Sequence, residues 1–213
     1  MGNELMKRFL SSIILIPIII FLIIEGSLLF NFFISICFLI SLYEWNKLCK
    51  NNFLIITGFF YLIISFYTIY ELINFNGSNV YFFFVIIICI STDIGGYTFG
   101  KIFKGPKLTN LSPNKTFSGL IGSYIFAVFS SILFLNSSLI LMNQIDINIF
   151  VFMFIFLVSS ISQLGDILIS YFKRQSKIKD TGKIIPGHGG LLDRIDGMIF
   201  AFPYSFLLMK FII

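Results

Sequence analysis

The chain has 213 residues, of which 57% are hydrophobic and only 12% charged, with a formal net charge of +5. A soluble domain averages about 45–50% apolar and about 25% charged, so the composition excludes an ordinary soluble enzyme and points to a protein whose solvent is largely lipid. The basic residues collect between long apolar runs, so the positive balance reads as a topology signal rather than a nucleic-acid footprint, and no nucleic-acid partner is expected.

Runs of about 20 apolar residues read as membrane spans. In chain order seven are predicted, at about 9–24, 26–43, 53–70, 80–92, 117–141, 149–165 and 196–213. The first follows Lys7 and Arg8, as the apolar stretch of a secretory signal would. No small-x-small cleavage site comes after it, and Glu25 leads straight into the next run, so it is read as a retained span. The first two runs are short and are also compatible with a tight helical hairpin. The fourth is short as a purely apolar run and needs polar Ser91, Thr92 and Asp93 at or beyond its end. The expected fold is all-α, a polytopic integral membrane protein of about seven transmembrane helices. It reads as one membrane domain, with N-terminal transmembrane helices over 1–90 and a C-terminal region carrying two cytoplasmic loops over 91–213.

Lysine and arginine placement gives the orientation. With a cytoplasmic N-terminus, 14 of the 15 basic residues fall on the inner side and only Lys210 lies outside the scheme. The outer loops hold Glu25, Glu71 and Asp146 and no basic residue, which is the positive-inside pattern. Cys37, Cys49 and Cys89 show no metal spacing and no C-x-x-C, so they are read as inert apolar residues.

Two inner segments break the apolar pattern, and the shared topology lets them meet. The first, "STDIGGYTFGKIFKGPKLTNLSPNKTFSG" over 91–119, opens with Asp93 at the end of a span. Its Gly96 and Gly100 allow close backbone approach, and they also form a G-x-x-x-G that packs helices in other membrane proteins. "SPNKTFSG" brings Ser112, Asn114, Lys115 and Thr116 to the start of the next span, where free backbone N–H groups and a lysine suit phosphate. Snorkelling to the interface is the ordinary alternative for Lys115.

The second segment runs from Asp166 to Asp196 and holds 10 of the chain's 25 charged residues and its only histidine, His188. If 165–177 is helical, Asp166, Ser170, Lys173, Arg174 and Lys177 share one face. "KDTGKIIPGHGG" is too rich in glycine and proline for a helix and reads as a loop. "LLDRIDG" then opens the last span with Asp193 and Asp196 three residues apart. The cations also fit a simple positive-inside role, and Asp193 a simple helix-start acid. Asp166 is harder to set aside, because an ionisable group at a membrane edge is costly and usually functional. Carboxylates with clustered cations and a glycine loop read as a Mg²⁺–phosphate site at the membrane surface, since Mg²⁺ takes one or two carboxylates and completes its shell with water and phosphates. No Cys/His cluster offers a zinc site.

The stretch "SYFKRQSKIKDTGKIIPGHGGLLDRID", Ser170 to Asp196, resembles the signature of the phosphatidate cytidylyltransferase (CDP-diacylglycerol synthase) family. The matching positions are Ser170, Lys173, Arg174, Lys179, Asp180, Gly182, Pro186, His188, Gly189, Gly190, Asp193, Arg194 and Asp196. Gly165-Asp166, "TDIGGYTFG" and "SPNKTFSG" are similar to the family as well. Family members are usually longer, with extra N-terminal spans. The resemblance implies transfer of the CMP moiety of CTP to phosphatidate, giving CDP-diacylglycerol and pyrophosphate, with Mg²⁺ and a monovalent cation such as K⁺ sharing the site. It implies Asp166, Asp193 and Asp196 as metal ligands or their support, and Lys173, Arg174 and Lys115 on the phosphates, with His188 counted among the catalytic residues through the nucleotide loop that it shapes with Gly189 and Gly190 rather than through a direct proton role. Ser170, Lys179, Asp180, Gly189, Gly190, Arg194, Ser112, Asn114, Thr116 and Asp93 fall to substrate binding. A bacterial inner-membrane location, membrane lipid as a partner and a homodimer are further expectations. The rival readings are a CTP-dependent lipid or polyprenol kinase, a CDP-alcohol phosphotransferase whose motif does not fit Asp196-Gly197, and an ion-coupled transporter. A transporter usually places its carboxylates near the midplane.

Overall fold

The computed structural model describes residues 27–75, 79–109, 115–137, 145, 147–184 and 189–212. Over these residues the secondary structure is helical: α1 Ser27–Leu48, α2 Asn52–Ile73, α3 Val80–Phe103, α4 Phe117–Leu135, α5 Ile149–Gln175 and α6 Leu192–Ile212. Five of them, α1 to α5, are long and apolar enough to cross a membrane. Large apolar side chains point outward, with Phe32 69%, Phe53 70% and Phe129 61% exposed. In water such exposure would drive association, whereas in lipid it costs nothing. The span expected at 9–24 lies outside the described residues.

The described residues form two compact units, one drawn from residues 1–66 and 172–195 and the other from residues 67–171 and 196–213. In the first, α1 and α2 form a tight hairpin. Asn51 Oδ1 accepts the Phe53 N–H at 2.9 Å and so starts α2. Trp45 donates its indole N–H to the Leu54 carbonyl at 3.1 Å, and its ring occupies the space a side chain at Gly58 would need. Phe172 meets Trp45 edge-on at 5.3 Å.

In the second unit the helices approach closely wherever small residues line up. A Cβ on Gly95 or Gly96 would collide with Gly122 or Ser123 of α4, and one on Gly122 would collide with Phe99 of α3. This explains a difference from expectation. The polar stretch after Ile90 does not end α3, which continues to Phe103. Its glycines fit the packing role of the G-x-x-x-G pattern, because the gain from close packing exceeds the intrinsic penalty of glycine in a helix. Gly165 and Gly197 likewise leave room for Phe200 and for Ser162. Stacked aromatics fill the remainder: Phe84 on Phe154 at 5.7 Å, and Phe82 on Phe202 at 5.6 Å. Thr92 and Ser159 hydrogen-bond at 2.8 Å within the core.

Candidate functional site

In the second unit the segment between α3 and α4 folds back on itself. Leu108 N–H donates to the Lys115 carbonyl at 2.7 Å, and Phe117 N–H to the Pro106 carbonyl at 3.1 Å. Thr116 then caps α4 by accepting the Gly119 N–H at 3.1 Å. This pinned turn aims Lys115 at α5, where its Nζ lies 2.6 Å from Asp166 Oδ2 and donates to the Gln163 carbonyl at 3.2 Å. Ser170, one turn further along α5, donates to Asp166 Oδ1 at 3.4 Å. Asp93, Lys115, Thr116, Gln163 and Asp166 line one cavity with Gly96 and Gly119. Its volume of about 270 Å³ lies just below the range of about 300–1,000 Å³ that encloses a drug-sized ligand, which suits part of a substrate.

In the first unit the end of α5 sets the geometry. Ile178 N–H donates to the Lys173 carbonyl, and Lys177 N–H to that of Arg174, each at 3.0 Å. These are the two bonds of a Schellman motif, with Lys177 at φ 58° where glycine is usual. Lys173 Nζ reaches Asp193 Oδ1 at 3.0 Å, and the two side chains are only 14% and 5% exposed. Asp193 Oδ2 accepts the N–H groups of Thr181 at 2.8 Å and Gly190 at 3.0 Å. Burial alone would raise the Asp193 carboxyl, but the Gly190 and Thr181 N–H groups together with Lys173 hold it below the ordinary carboxylate value. Gly189 takes φ 87°, against Asp193 and Asp180, a conformation in which a side chain would be strained.

The structure thus brings Lys115 and Ser170 to Asp166, and Lys173 and Gly190 to Asp193. Arg174, Lys179, Asp180 and Arg194 are exposed, and Asp196 Oδ1 accepts the Gly197 N–H at 2.9 Å. Ser112, Asn114 and His188 lie outside the described residues. Among the described residues no three Asp, Glu, His or Cys side chains gather as a metal cage. Cys49 is buried, which pushes its thiol up to about 11 and fits an inert role.

Glu44 of α1 escaped the sequence reading. It is fully buried, and its carboxylate accepts the Leu191 N–H at 3.0 Å, the Leu192 N–H at 2.8 Å and the Thr181 hydroxyl at 2.9 Å. The signal was present, since a carboxylate near the end of an apolar run raises the same question as Asp166. Its partners, more than 130 residues away in sequence, gave no local pattern.

A family model described as the Cytidylyltransferase family matches residues 50–212. A phosphatidate cytidylyltransferase of Rickettsia bellii is 34% identical over 97% of this chain and 91% of its own. The Bacillus subtilis protein of that name is 32% identical over 83% of this chain and 67% of its own, and that of Helicobacter pylori 35% over 68% and 52%. The expectation that family members are usually longer fits the last two, whereas the Rickettsia protein is nearly as compact as this chain. With a match over most of its length and the signature residues arranged as two Lys–Asp pairs, the chain belongs to the cytidylyltransferase family.

Proposed function

We propose that this chain is a phosphatidate cytidylyltransferase that moves the CMP group of CTP onto the phosphate of phosphatidate and releases pyrophosphate. Relatives of that name across several bacteria support the activity. The observation that carries the site assignment is the pairing of Lys115 with Asp166 and of Lys173 with Asp193, each at hydrogen-bonding distance. A lysine that pairs with a carboxylate also suits a phosphate, and Lys115, the more exposed of the two, is the more accessible.

The nucleophile is a lipid phosphate oxygen, largely ionised near neutral pH because its second pKa is about 6. No general base is required, so the chemistry demands alignment of two anions and neutralisation of charge at the α-phosphate and the leaving pyrophosphate. Lys115 in the second unit and Lys173 in the first are each cations suited to that role, with exposed Arg174 as a further candidate for phosphate. Asp93 and Asp166 offer an oxygen-only donor set around one cavity, which fits Mg²⁺ because it needs only one or two carboxylates and takes the rest of its shell from water and phosphates. Asp166 would hold the ion there. Asp193 keeps lone pairs on Oδ1 beyond its bond to Lys173 and would ligate metal through that atom. When bound, Mg²⁺ supplies charge neutralisation at the phosphates.

Incubation with phosphatidate, Mg²⁺ and CTP labelled at the α- or γ-phosphate tests the function. Label from the α-position is expected in lipid. Label from the γ-position in lipid would make the chain a CTP-dependent lipid kinase instead.

The proposed setting is a bacterial cytoplasmic membrane crossed seven times, with the N-terminus and the site on the inner side. The lysine and arginine distribution supports it. A cysteine replacing exposed Gln175, in a background without Cys37, Cys49 and Cys89, should react with an impermeant thiol reagent only in inverted vesicles. Reaction in intact cells would overturn the orientation.

A further inference from the structure

We infer that Glu44 is a positioning residue for the transfer reaction, holding Thr181 and the Leu191 and Leu192 amides and, through them, the Asp193 carboxylate; the inference rests on the function proposed above. A fully buried carboxylate is costly unless hydrogen-bonded, and Glu44 meets that condition with three donors. Two of those donors are N–H groups at the start of α6, immediately before Asp193. The third is the hydroxyl of Thr181, whose own N–H binds Asp193 Oδ2 at 2.8 Å. Thr181 is therefore held by one carboxylate on its backbone and by another on its side chain.

The glycines confirm that the chain is built around this carboxylate. A Cβ on Gly182 would strike Glu44 Oε1, and one on Gly190 would sit 2.5 Å from Oε2. Both positions belong to the stretch that the sequence reads as a glycine-rich loop, and here their missing side chains make room for Glu44. A helix start needs only a local acceptor such as Ser, Thr or Asp. An acceptor brought from α1, with glycines cleared for it, fixes the path of the backbone leading into Asp193 as well.

Glu44→Gln is the informative change. Leu191 and Leu192 donate to different oxygens of Glu44, and an amide has one oxygen, so one N–H must face an NH₂. The expected result is a fall in kcat for α-label transfer of about 10–100-fold, the usual effect of losing a partner that orients a ligand, with the KM for phosphatidate unchanged and the Mg²⁺ requirement raised. Thr181→Val should give a smaller fall of the same kind, and the double variant should lose less than the product of the two. Glu71→Gln is the control and should behave as wild type. Trp45, the chain's only tryptophan and the neighbour of Glu44, provides a readout without turnover. Its fluorescence titrated with Mg²⁺–CTP should require about tenfold more ligand in Glu44→Gln, in line with the same principle. Should Glu44→Gln fail to fold, Thr181→Val decides by the same measurements. Variants matching wild type in kcat, Mg²⁺ dependence and fluorescence titration would overturn the inference. A wild type that binds Mg²⁺–CTP but transfers no α-label would overturn the proposed reaction, while a shifted titration in the variant would still support the role of Glu44.

Discussion

The two Lys–Asp pairs look alike in sequence and differ in kind. Lys115–Asp166 is short at 2.6 Å, but its side chains are 23% and 29% exposed, and among the described residues its carboxylate receives besides the lysine a long 3.4 Å bond from Ser170. Lys173–Asp193 is slightly longer, yet Asp193 is 5% exposed and takes two backbone N–H groups in addition. A solvent-exposed pair contributes about 0–1 kcal/mol, whereas removing one partner of a buried pair costs about 3–5 kcal/mol, and the more exposed Lys115–Asp166 pair lies nearer the first figure. The buried Lys173–Asp193 pair is part of what fastens the start of α6.

The largest effect should come from the carboxylates. Asp166→Asn and Asp193→Asn are each expected to lower transfer of the α-label by about 10²–10³-fold or more, because a neutral amide replaces a charged oxygen ligand. The comparison predicts that they part in stability. Asp193→Asn should melt earlier by about 3 kcal/mol, since it leaves Lys173 with a neutral partner in a buried place, and Asp166→Asn by less than about 1 kcal/mol. Equal losses in thermal or denaturant melts would erase the distinction.

Acid should reveal the same difference more gently. Because the folded state holds the Asp193 carboxyl below its ordinary value, its contribution to stability is present above the unfolded value of about 3.9 and lost as pH falls through the lower folded value. The stability gap between wild type and Asp193→Asn should be constant from about pH 5 upward and narrow below about pH 4. A gap that persists unchanged in acid would contradict the depressed value.

The smallest effect concerns the end of α5. Lys177 sits at φ 58° as the closing residue of the Schellman motif. Lys177→Gly should stabilise the protein by about 1 kcal/mol, the cost of a left-handed conformation for a residue with a side chain. A lower melting temperature would mean that the lysine side chain contributes more than its backbone costs.

Much of this site was legible in the sequence. Asp166 and Ser170 stand out because helical spacing puts them on one face, and the bond between them bears this out. The approach of Lys115 to α5 agrees with the expectation that the two polar segments can meet. The extent of α3 was not legible, because Ser91 to Gly100 looks like a break until the opposing Gly119, Gly122 and Ser123 are seen to need its glycines. Glu44 was hidden for a different reason. Its meaning lies wholly in partners far along the chain, and a lone carboxylate beside Trp45 carries no periodicity.

That separation has a consequence for biosynthesis. Glu44 precedes its partner Thr181 by 137 residues, and at about 5–20 residues per second the ribosome needs about 7–27 s to make the interval. Throughout that time the α1–α2 hairpin exists without the donors that make its carboxylate tolerable in an apolar setting. The hairpin therefore reaches its final state only after Leu192 has been made. A chain cut short before Thr181 would leave the Glu44 carboxylate at the end of α1 without these three donors.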